Sequence, residues 1–217
     1  MKFFTLVTML LILSSCQNQV SKTESIVAPN TNQINIQPKP NETFKQRSRN
    51  LTEISILANE QAIRLKPSDF KELPEEIIKE LEKRKCTIPQ IWHSKTPHNV
   101  ISGEYSKKGQ KDWAVLCSIN RISSILIFWN GSTKNAAEIG KSEDLGYFQT
   151  VDSNNEMGFS RAIATVDKKY IIDHYNSYGG VKPPQIDHEG INDAFVEKAS
   201  GVLYFHRGKW LELQGAD

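Results

Sequence analysis

Two histidines that each follow an aspartate are the residues of this 217-residue chain best suited to chemistry. They occur as Asp173-His174 and Asp187-His188, and further carboxylates follow the second pair closely. Neutral imidazole and carboxylate oxygen are good ligands for zinc or iron. If the two segments meet in the folded chain, they would form a site of two histidines and one or two carboxylates.

The spacing of these residues favours a plainer interpretation. The chain contains neither His-x-x-x-His nor His-Glu-x-x-His, the spacings that place metal ligands on one helix face. Adjacent residues point to different faces of a helix or strand, so Asp173 and His174 cannot easily reach the same ion. We expect salt bridges in loops and solvated histidines, with no bound metal and no cofactor. The residues that we retain as candidate binding residues are Asp173, His174, Asp187 and His188.

The sequence lacks the motifs of nucleophilic catalysis and of phosphate binding. It contains no Gly-x-Ser-x-Gly turn and no glycine-rich loop that ends in Lys-Ser or Lys-Thr. Ser160 and Ser177 stand in no recognisable catalytic motif, so the sequence assigns no catalytic residue. An enzyme is therefore the less favoured class of function.

The first sixteen residues carry an export signal. Lys2 precedes an apolar run over residues 3–13, which is too short to cross a bilayer core of about 30 Å and suits a signal peptide. The Leu-Ser-Ser-Cys that follows at residues 13–16 resembles the lipobox of bacterial lipoproteins. That resemblance implies removal of residues 1–15 and acylation of the Cys16 thiol.

The stretch from Gln17 to residue 50 differs in composition from the rest of the chain. It is rich in asparagine, glutamine and proline, and Phe44 is its only aromatic residue. Such a stretch cannot bury enough apolar surface to offset its ordering entropy. We expect residues 16–50 to be the lipidated cysteine and a disordered tether of roughly 30–35 Å, ahead of one domain over residues 51–217. By resemblance to sorted lipoproteins, a residue other than aspartate after the cysteine implies the outer membrane, with the domain facing the periplasm.

The charge balance narrows the possible partners. The chain has 27 basic and 25 acidic side chains, and six of the basic but only two of the acidic ones precede residue 51. Residues 51–217 therefore have no basic surplus for a phosphate backbone, and we expect no nucleic acid partner. The expected partners are the lipid bilayer, through acylated Cys16, and an envelope protein or polymer.

The other two thiols of the chain belong to Cys86 and Cys117. Export places them in an oxidising compartment, where a disulfide would close a loop of about 30 residues and stabilise the domain by roughly 3–4 kcal/mol. Two buried free thiols are the alternative. A redox pair is not favoured because the spacing is not Cys-x-x-Cys.

The segment over residues 103–113 carries a second family resemblance, to the FG-GAP or VCBS half-repeat of β-propeller and adhesion proteins. The positions that match the pattern are Gly103, Tyr105, Gly109, Asp112 and Trp113. Calcium takes about six to eight oxygen ligands, but Lys108 stands where the pattern has a ligand aspartate. We therefore predict a strand–turn–strand unit without calcium, in which Asp112 hydrogen-bonds the turn. From residue 86 onward the chain otherwise resembles bacterial envelope proteins, a resemblance that implies no particular activity.

The helices and strands that position these residues are predicted from hydrophobic periodicity and from residues that favour the ends of helices and strands. Helices are predicted at residues 50 to about 64, 74–85 and 168–175. Strands are predicted at residues 100–105, 112–118, 123–129 and 159–166, and as a hairpin over 202–206 and 209–213 with its turn at Arg207-Gly208. Helices first and strands after, without βαβ alternation, predict an α+β domain with N-terminal helices packed on a mainly antiparallel sheet.

These observations predict a membrane-anchored bacterial lipoprotein whose domain binds another envelope component without catalysing a reaction. The alternative is a periplasmic metal-dependent or histidine-based hydrolase that uses His174, His188 and nearby carboxylates.

Overall fold

The computed structural model describes residues 52–154 and 156–215, which belong to one compact unit. The lipobox with Cys16 and the predicted tether through residue 50 lie outside the described residues. No helix within the two described ranges is long and apolar enough to cross a membrane.

The described residues form an α+β unit built mostly from antiparallel strands, which confirms the predicted fold class. Three α-helices accompany twelve strands in these ranges, and all of the named strand pairs are antiparallel. The strands are divided among four sheets, whereas the sequence analysis expects one. The division follows from the connections, because the chain leaves one four-stranded sheet at Glu143 and enters the next at Arg161.

Each four-stranded sheet is a meander of consecutive strands. Two short pairs consist of β1 (Arg64–Leu65) with β2 (Ile88–Pro89), and of β7 (Phe148–Thr150) with β8 (Met157–Phe159). Sheet I consists of β3 (Val100–Gly103), β4 (Asp112–Ile119), β5 (Ile122–Phe128) and β6 (Ala137–Glu143). Sheet II consists of β9 (Arg161–Val166), β10 (Gly190–Phe195), β11 (Ala199–His206) and β12 (Lys209–Gln214).

The helices agree with the predicted ones except at their ends. They are α1 (residues 52–61), α2 (Glu75–Lys83) and α3 (Lys168–Tyr178). The prediction that α1 reaches residue 64 is wrong, because Arg64 belongs to strand β1 and pairs with Pro89 of β2. The Asp167 carboxylate accepts a hydrogen bond from the Tyr170 amide and caps α3 as expected. That helix continues past residue 175 to Gly179, whose positive φ of 78° ends it.

Strand β4 is buried along nearly its whole length and contributes to two core clusters, as expected of a strand covered on both faces. Trp113, Val115 and Cys117 share the first cluster with Ile77 and Leu81 of α2. The other face of β4 shares the second cluster with sheet II. The members that join the two sheets include Ala114, Leu116, Ile163, Ile191 and Leu203. A third cluster joins α3 to sheet II through Ile171, Val202, Tyr204 and Leu213.

The predicted disulfide between Cys86 and Cys117 is present. The two Cα atoms lie 5.4 Å apart and are separated by 31 residues of sequence. Both cysteines are buried in the first core cluster. The disulfide therefore links the end of α2 to the central strand β4.

A buried arginine forms an ion pair within sheet II and also hydrogen-bonds to sheet I. Arg161 of β9 donates from Nε and Nη2 to the two carboxylate oxygens of Asp193 at 2.9 and 2.7 Å. The same guanidinium donates across to sheet I, to the Gly140 carbonyl at 2.6 Å and to Ser123 Oγ at 3.0 Å. Burial alone would lower the pKa of Arg161, but the Asp193 carboxylate, with smaller contributions from Tyr147 and Asp144, outweighs burial and raises that pKa.

Candidate functional site

The structure separates the four candidate binding residues into two places. Asp187 and His188 lie in the segment between α3 and β10, and both line a cleft. Asp173 and His174 lie on α3 and do not line that cleft. Among residues 52–154 and 156–215, no three His, Cys, Asp or Glu side chains lie close enough together to hold a metal ion.

The α3 pair has a structural role in the described part of the chain. Asp173 is exposed and forms an ion pair with Lys169 one turn earlier. His174 is buried, and its ring lies 6.1 Å from that of Tyr170 and 4.9 Å from that of Tyr178, measured between centroids. The expectation of a solvated imidazole is wrong here, because His174 shares a helix face with buried Ile171 three residues earlier.

The cleft that contains Asp187 and His188 lies between the segment 184–188 and the turn of the β11–β12 hairpin. It consists of two adjoining cavities of about 370 and 630 Å³ that share five lining residues. We call it the polar cleft. Its lining residues are Ser106, Lys168, Pro184, Gln185, Ile186, Asp187, His188, Phe205, His206, Arg207 and Gly208.

His188 is the buried polar group of the cleft wall, with only 7% of its surface exposed. Its Nδ1 lies 2.8 Å from the Glu189 carbonyl oxygen, and a carbonyl can only accept, so Nδ1 carries the proton in the neutral ring. Nε2 is then an acceptor that forms no hydrogen bond with the described residues, and it is not among the fully buried polar atoms that lack a partner, so it is open to solvent. The expectation that His188 is solvated is therefore also wrong: it is a buried ring with one uncommitted nitrogen.

Backbone pairing holds His188 in place. The neighbouring Glu189 amide donates to the Glu104 carbonyl at 3.0 Å, and the Glu104 amide donates to Glu189 Oε2 at 2.8 Å. Gly103, just before, is required there, because a Cβ would lie 2.8 Å from Glu189 Oε2. The histidine is thus anchored to the turn that resembles the FG-GAP half-repeat.

That turn is built around a buried carboxylate. Asp112 Oδ2 accepts from the amides of Tyr105 at 3.1 Å and Ser106 at 3.0 Å, and its Oδ1 accepts from the Asn130 amide at 2.8 Å. The predicted hydrogen bonding of the turn by Asp112 is confirmed. Gln110 Nε2 donates to both Ser106 Oγ and Asp112 Oδ1 at 2.7 Å, so the Ser106 wall of the cleft is fixed in position.

The opposite wall is the hairpin turn Arg207-Gly208, at the position that the sequence predicts. Both residues have positive φ, 49° and 82°, as a two-residue turn of type I′ requires. Asparagine is the favoured residue at the first position of such a turn, and a non-glycine residue at positive φ is uncommon. An arginine is therefore held at the mouth of the cleft against the local preference of the backbone.

The cleft carries an excess of positive charge. Lys168 and Arg207 are exposed, and Asp187 is the carboxylate among the lining residues. Neither cation forms a salt bridge with any carboxylate in the described part of the chain. Two unpaired cations in a concave surface favour an anionic ligand.

An aromatic cluster adjoins the polar cleft through Phe205. The ring of Phe205 lies 5.0 Å from that of Trp129 and 5.6 Å from that of Trp210, measured between centroids. All three are partly exposed. The cleft therefore offers an apolar surface beside its charged groups.

A second concave surface is mainly apolar. It has a volume of about 420 Å³ and lies between α1 and the β7–β8 pair. Leu57, Ile63 and Trp92 line it and are 55%, 64% and 42% exposed. It contains no histidine or lysine among its lining residues, so its chemistry differs from that of the polar cleft.

Asp187 and His188 can be identified from the sequence, but the cations beside them cannot. Lys168 was expected only as the first residue of a helix, and Arg207 only as part of a turn. One signal for Arg207 was present in the sequence: an arginine precedes glycine where hairpin turns favour asparagine.

Comparison of the chain with protein-family models, with curated proteins and with solved structures finds no match. The chemistry of the polar cleft is therefore argued from its own residues.

Proposed function

We propose that the protein is a bacterial lipoprotein, acylated at Cys16 and held at the outer membrane, whose domain binds an envelope component in the polar cleft. The lipobox at residues 13–16 supports the anchor. The observation that carries the binding function is the set of uncommitted groups in one cleft: Lys168 and Arg207 without ion pairs, and buried His188 with a free ring nitrogen. A ligand that displaces water from these groups can form hydrogen bonds and ion pairs with them.

The proposed mechanism is binding by charge and hydrogen bonding. The turn at Arg207-Gly208 and the segment that ends in His188 form opposite walls, and each is fixed by backbone hydrogen bonds. A ligand that enters meets a preformed surface, so little ordering entropy opposes its binding. The tether, roughly 30–35 Å long as a flexible coil, would hold this surface clear of the lipid headgroups.

A histidine-based hydrolase is the second candidate, and one observation favours it. The Nδ1 proton of His188 is bound to a carbonyl, which leaves Nε2 in the form that a general base needs. A catalytic pair also needs a nucleophile within about 2.6–3.2 Å of the base. Among the described residues, no hydroxyl forms a hydrogen bond with His188, and Ser106 in the same cleft is bonded to Gln110 instead, which is why we propose binding before hydrolysis.

We also propose that α1 and α2 together cover sheet I, as expected from the order of the elements. The contribution of Ile77 and Leu81 to the first core cluster supports this arrangement for α2. Hydrogen exchange would test it: a proline that destabilises α1 should speed exchange of sheet I amides relative to the wild type, while the amides of α2 stay protected. Exchange in sheet I that this proline leaves unchanged would contradict a cover that includes α1.

The anchor is tested by metabolic labelling with palmitate. The wild-type chain should incorporate label and fractionate with the outer membrane, whereas Cys16→Ser should incorporate none. Label in the Cys16→Ser variant, or a wild-type chain without label, would contradict the proposed lipoprotein.

The binding function is tested by a photo-crosslinking residue placed at the exposed cleft residue Gln185, with one at Lys79 on α2 as the control position. We expect a crosslinked product in cells from position 185 and none from position 79. The same product should be lost in Arg207→Asn. Equal products at both positions, or a product that Arg207→Asn leaves unchanged, would refute binding in the cleft.

Arg121 provides a matched control for Arg207. It lies in the two-residue turn Asn120-Arg121 of the β4–β5 hairpin, also at positive φ, and it does not line the polar cleft. Each of the variants Arg207→Asn and Arg121→Gly gives its hairpin the turn sequence Asn-Gly, and each removes one positive charge. Because Asn-Gly is the preferred type I′ sequence, neither variant should lower stability. Only the first should affect binding.

A further inference from the structure

We infer that the ligand of the polar cleft is an acidic saccharide unit, that is, a sugar ring that carries a carboxylate or phosphate group. This inference rests on the proposed binding function and names its ligand. Three parts of the cleft support it: two cations, the acceptor nitrogen of a largely buried histidine, and an aromatic residue in the lining.

The cations select the acid group. Arg207 presents a planar guanidinium that can bind two oxygens of a carboxylate or phosphate at once, and Lys168 adds a point charge. Lys168 is the first residue of α3, an eleven-residue helix whose N-terminal end also favours negative charge. Neither cation forms a salt bridge with a protein carboxylate in the described residues, so both are available to the acid group of a ligand, although Asp187 also lines the cleft.

The buried imidazole selects a hydroxyl. Because Nδ1 of His188 already donates to the Glu189 carbonyl, Nε2 can only accept in the neutral ring. An ionised carboxylate offers acceptors alone and would leave Nε2 without a partner. A ligand that satisfies the cations and the imidazole together must carry both an acid group and a hydrogen-bond donor. Asp187, also in the lining, is a second acceptor for such a donor.

The aromatic wall selects a ring. Phe205 lines the smaller cavity, and its ring packs against the Trp129–Trp210 pair. The C–H face of a sugar is an apolar surface of suitable size for such a wall. A cavity of about 370 Å³ lies within the range of small-ligand sites.

An acidic peptide is the competing occupant. Peptides that bind proteins through their backbone add a strand to a free sheet edge. The walls of the cleft are instead a hairpin turn, an irregular segment and side chains. The grouping of an acceptor nitrogen, an acidic side chain and an aromatic ring beside the cations therefore favours a sugar.

The test uses the full chain in detergent and saturation-transfer NMR titrations with small probes. The sugar acids are glucuronate and glucose 6-phosphate, which separate a carboxylate source from a phosphate source. The single-feature probes are glucose, acetate and inorganic phosphate, and a tetra-aspartate peptide represents the competing class. We expect at least one sugar acid to bind about tenfold or more tightly than glucose, acetate, phosphate and the peptide, as ~1.4 kcal/mol of added hydrogen bonding would give.

The variants assign the effect to the cleft. Arg207→Asn should weaken binding of the sugar acid about tenfold, while Arg121→Gly should leave it unchanged. His188→Phe should remove the preference for the sugar acid over acetate. Because His188 is buried, its variant is compared only if its melting temperature stays near that of the wild type. If that variant does not fold, the comparison of Arg207→Asn with Arg121→Gly tests whether the sugar acid binds in the cleft.

Several results would overturn the inference. Acetate or inorganic phosphate that binds as tightly as both sugar acids would make the cleft a simple anion site. Tighter binding of the tetra-aspartate peptide would assign it to an acidic peptide. If no probe binds but crosslinking from position 185 in cells still depends on Arg207, the saccharide inference fails and the binding function stands. If both experiments fail, the proposed function fails too.

Discussion

Replacing Asp193 by asparagine removes the charge that balances the buried Arg161 guanidinium while changing the shape of the side chain little. The arginine side chain is fully buried, whereas 14% of the Asp193 side chain is exposed. In the native chain the five N–H groups of Arg161 are satisfied by two oxygens of Asp193 and by the Ser123 and Gly140 acceptors of sheet I. The asparagine variant keeps one oxygen acceptor and places an amide N–H group, a donor, where the second stood.

The expected loss of unfolding free energy follows from this geometry. Breaking a buried ion pair by removing one partner costs about 3–5 kcal/mol, because the remaining charge is left uncompensated. The partial exposure of Asp193 allows water near the guanidinium and places the expected value at the lower end, about 3 kcal/mol. In domains of roughly 150–250 residues, 1 kcal/mol corresponds to about 2–4 °C, so the melting temperature should fall by about 6–12 °C.

The assay is thermal and urea unfolding followed by circular dichroism. Asp173→Asn, which breaks the exposed ion pair with Lys169, is the control and should leave the midpoint unchanged. The double variant Arg161→Met with Asp193→Leu removes both charges and should recover most of the lost stability. A loss below about 1 kcal/mol in Asp193→Asn, or a double variant less stable than the single one, would refute the reasoning.

Three further predictions concern other parts of the fold. Burial lowers the pKa of His98 from its ordinary value of 6.5, so the unfolded chain takes up the proton first. The contribution of His98 to stability should therefore be complete above pH 6.5 and fall as the pH drops towards the lowered pKa, by at most ~1.36 kcal/mol per pH unit. His98→Gln should flatten this dependence in urea titrations, and an unchanged slope would contradict it. Cys86→Ala combined with Cys117→Ala should lower the unfolding free energy by roughly 3–4 kcal/mol, measured by urea unfolding without reductant, and wild-type stability would show that the bridge contributes nothing. Gly158→Ala would place a Cβ 2.5 Å from Trp92 Cβ, so it should shift tryptophan fluorescence and cost about 1–3 kcal/mol; an unchanged spectrum and midpoint would show that the tryptophan moves freely.

Strands with a strong apolar signal are the part of the fold that can be predicted from the sequence. The run from Asp112 to Ile119 is apolar on both faces, and its length of eight residues between turn residues favours a buried strand over a helix. Strand β6, Ala137–Glu143, was missed because it is mostly exposed and contains charged residues and a glycine. Strand β10 was missed for a different reason. Aspartate is uncommon in strands, and Asp193 is accommodated there by its ion pair with the buried Arg161.

The candidate site could be predicted only in part, because its residues are distant in sequence. His188 stands out by type and by the carboxylates beside it. Its burial and tautomer depend on the carbonyl of Glu189 and the pairing with Glu104, which no local pattern reveals. The placement of Lys168 and Arg207 near it depends on how α3 and the β11–β12 hairpin fold against each other.

The unusual turn at Arg207-Gly208 has an evolutionary consequence. A sequence selected only for stability would drift towards Asn-Gly at this hairpin, since asparagine adopts positive φ more readily than arginine. If Arg207 binds the proposed ligand, selection for binding opposes that drift at residue 207, whereas nothing in the cleft opposes it at Arg121. In chains that share this fold, the residue before the hairpin glycine should therefore distinguish domains that still use the cleft from those that have lost its ligand.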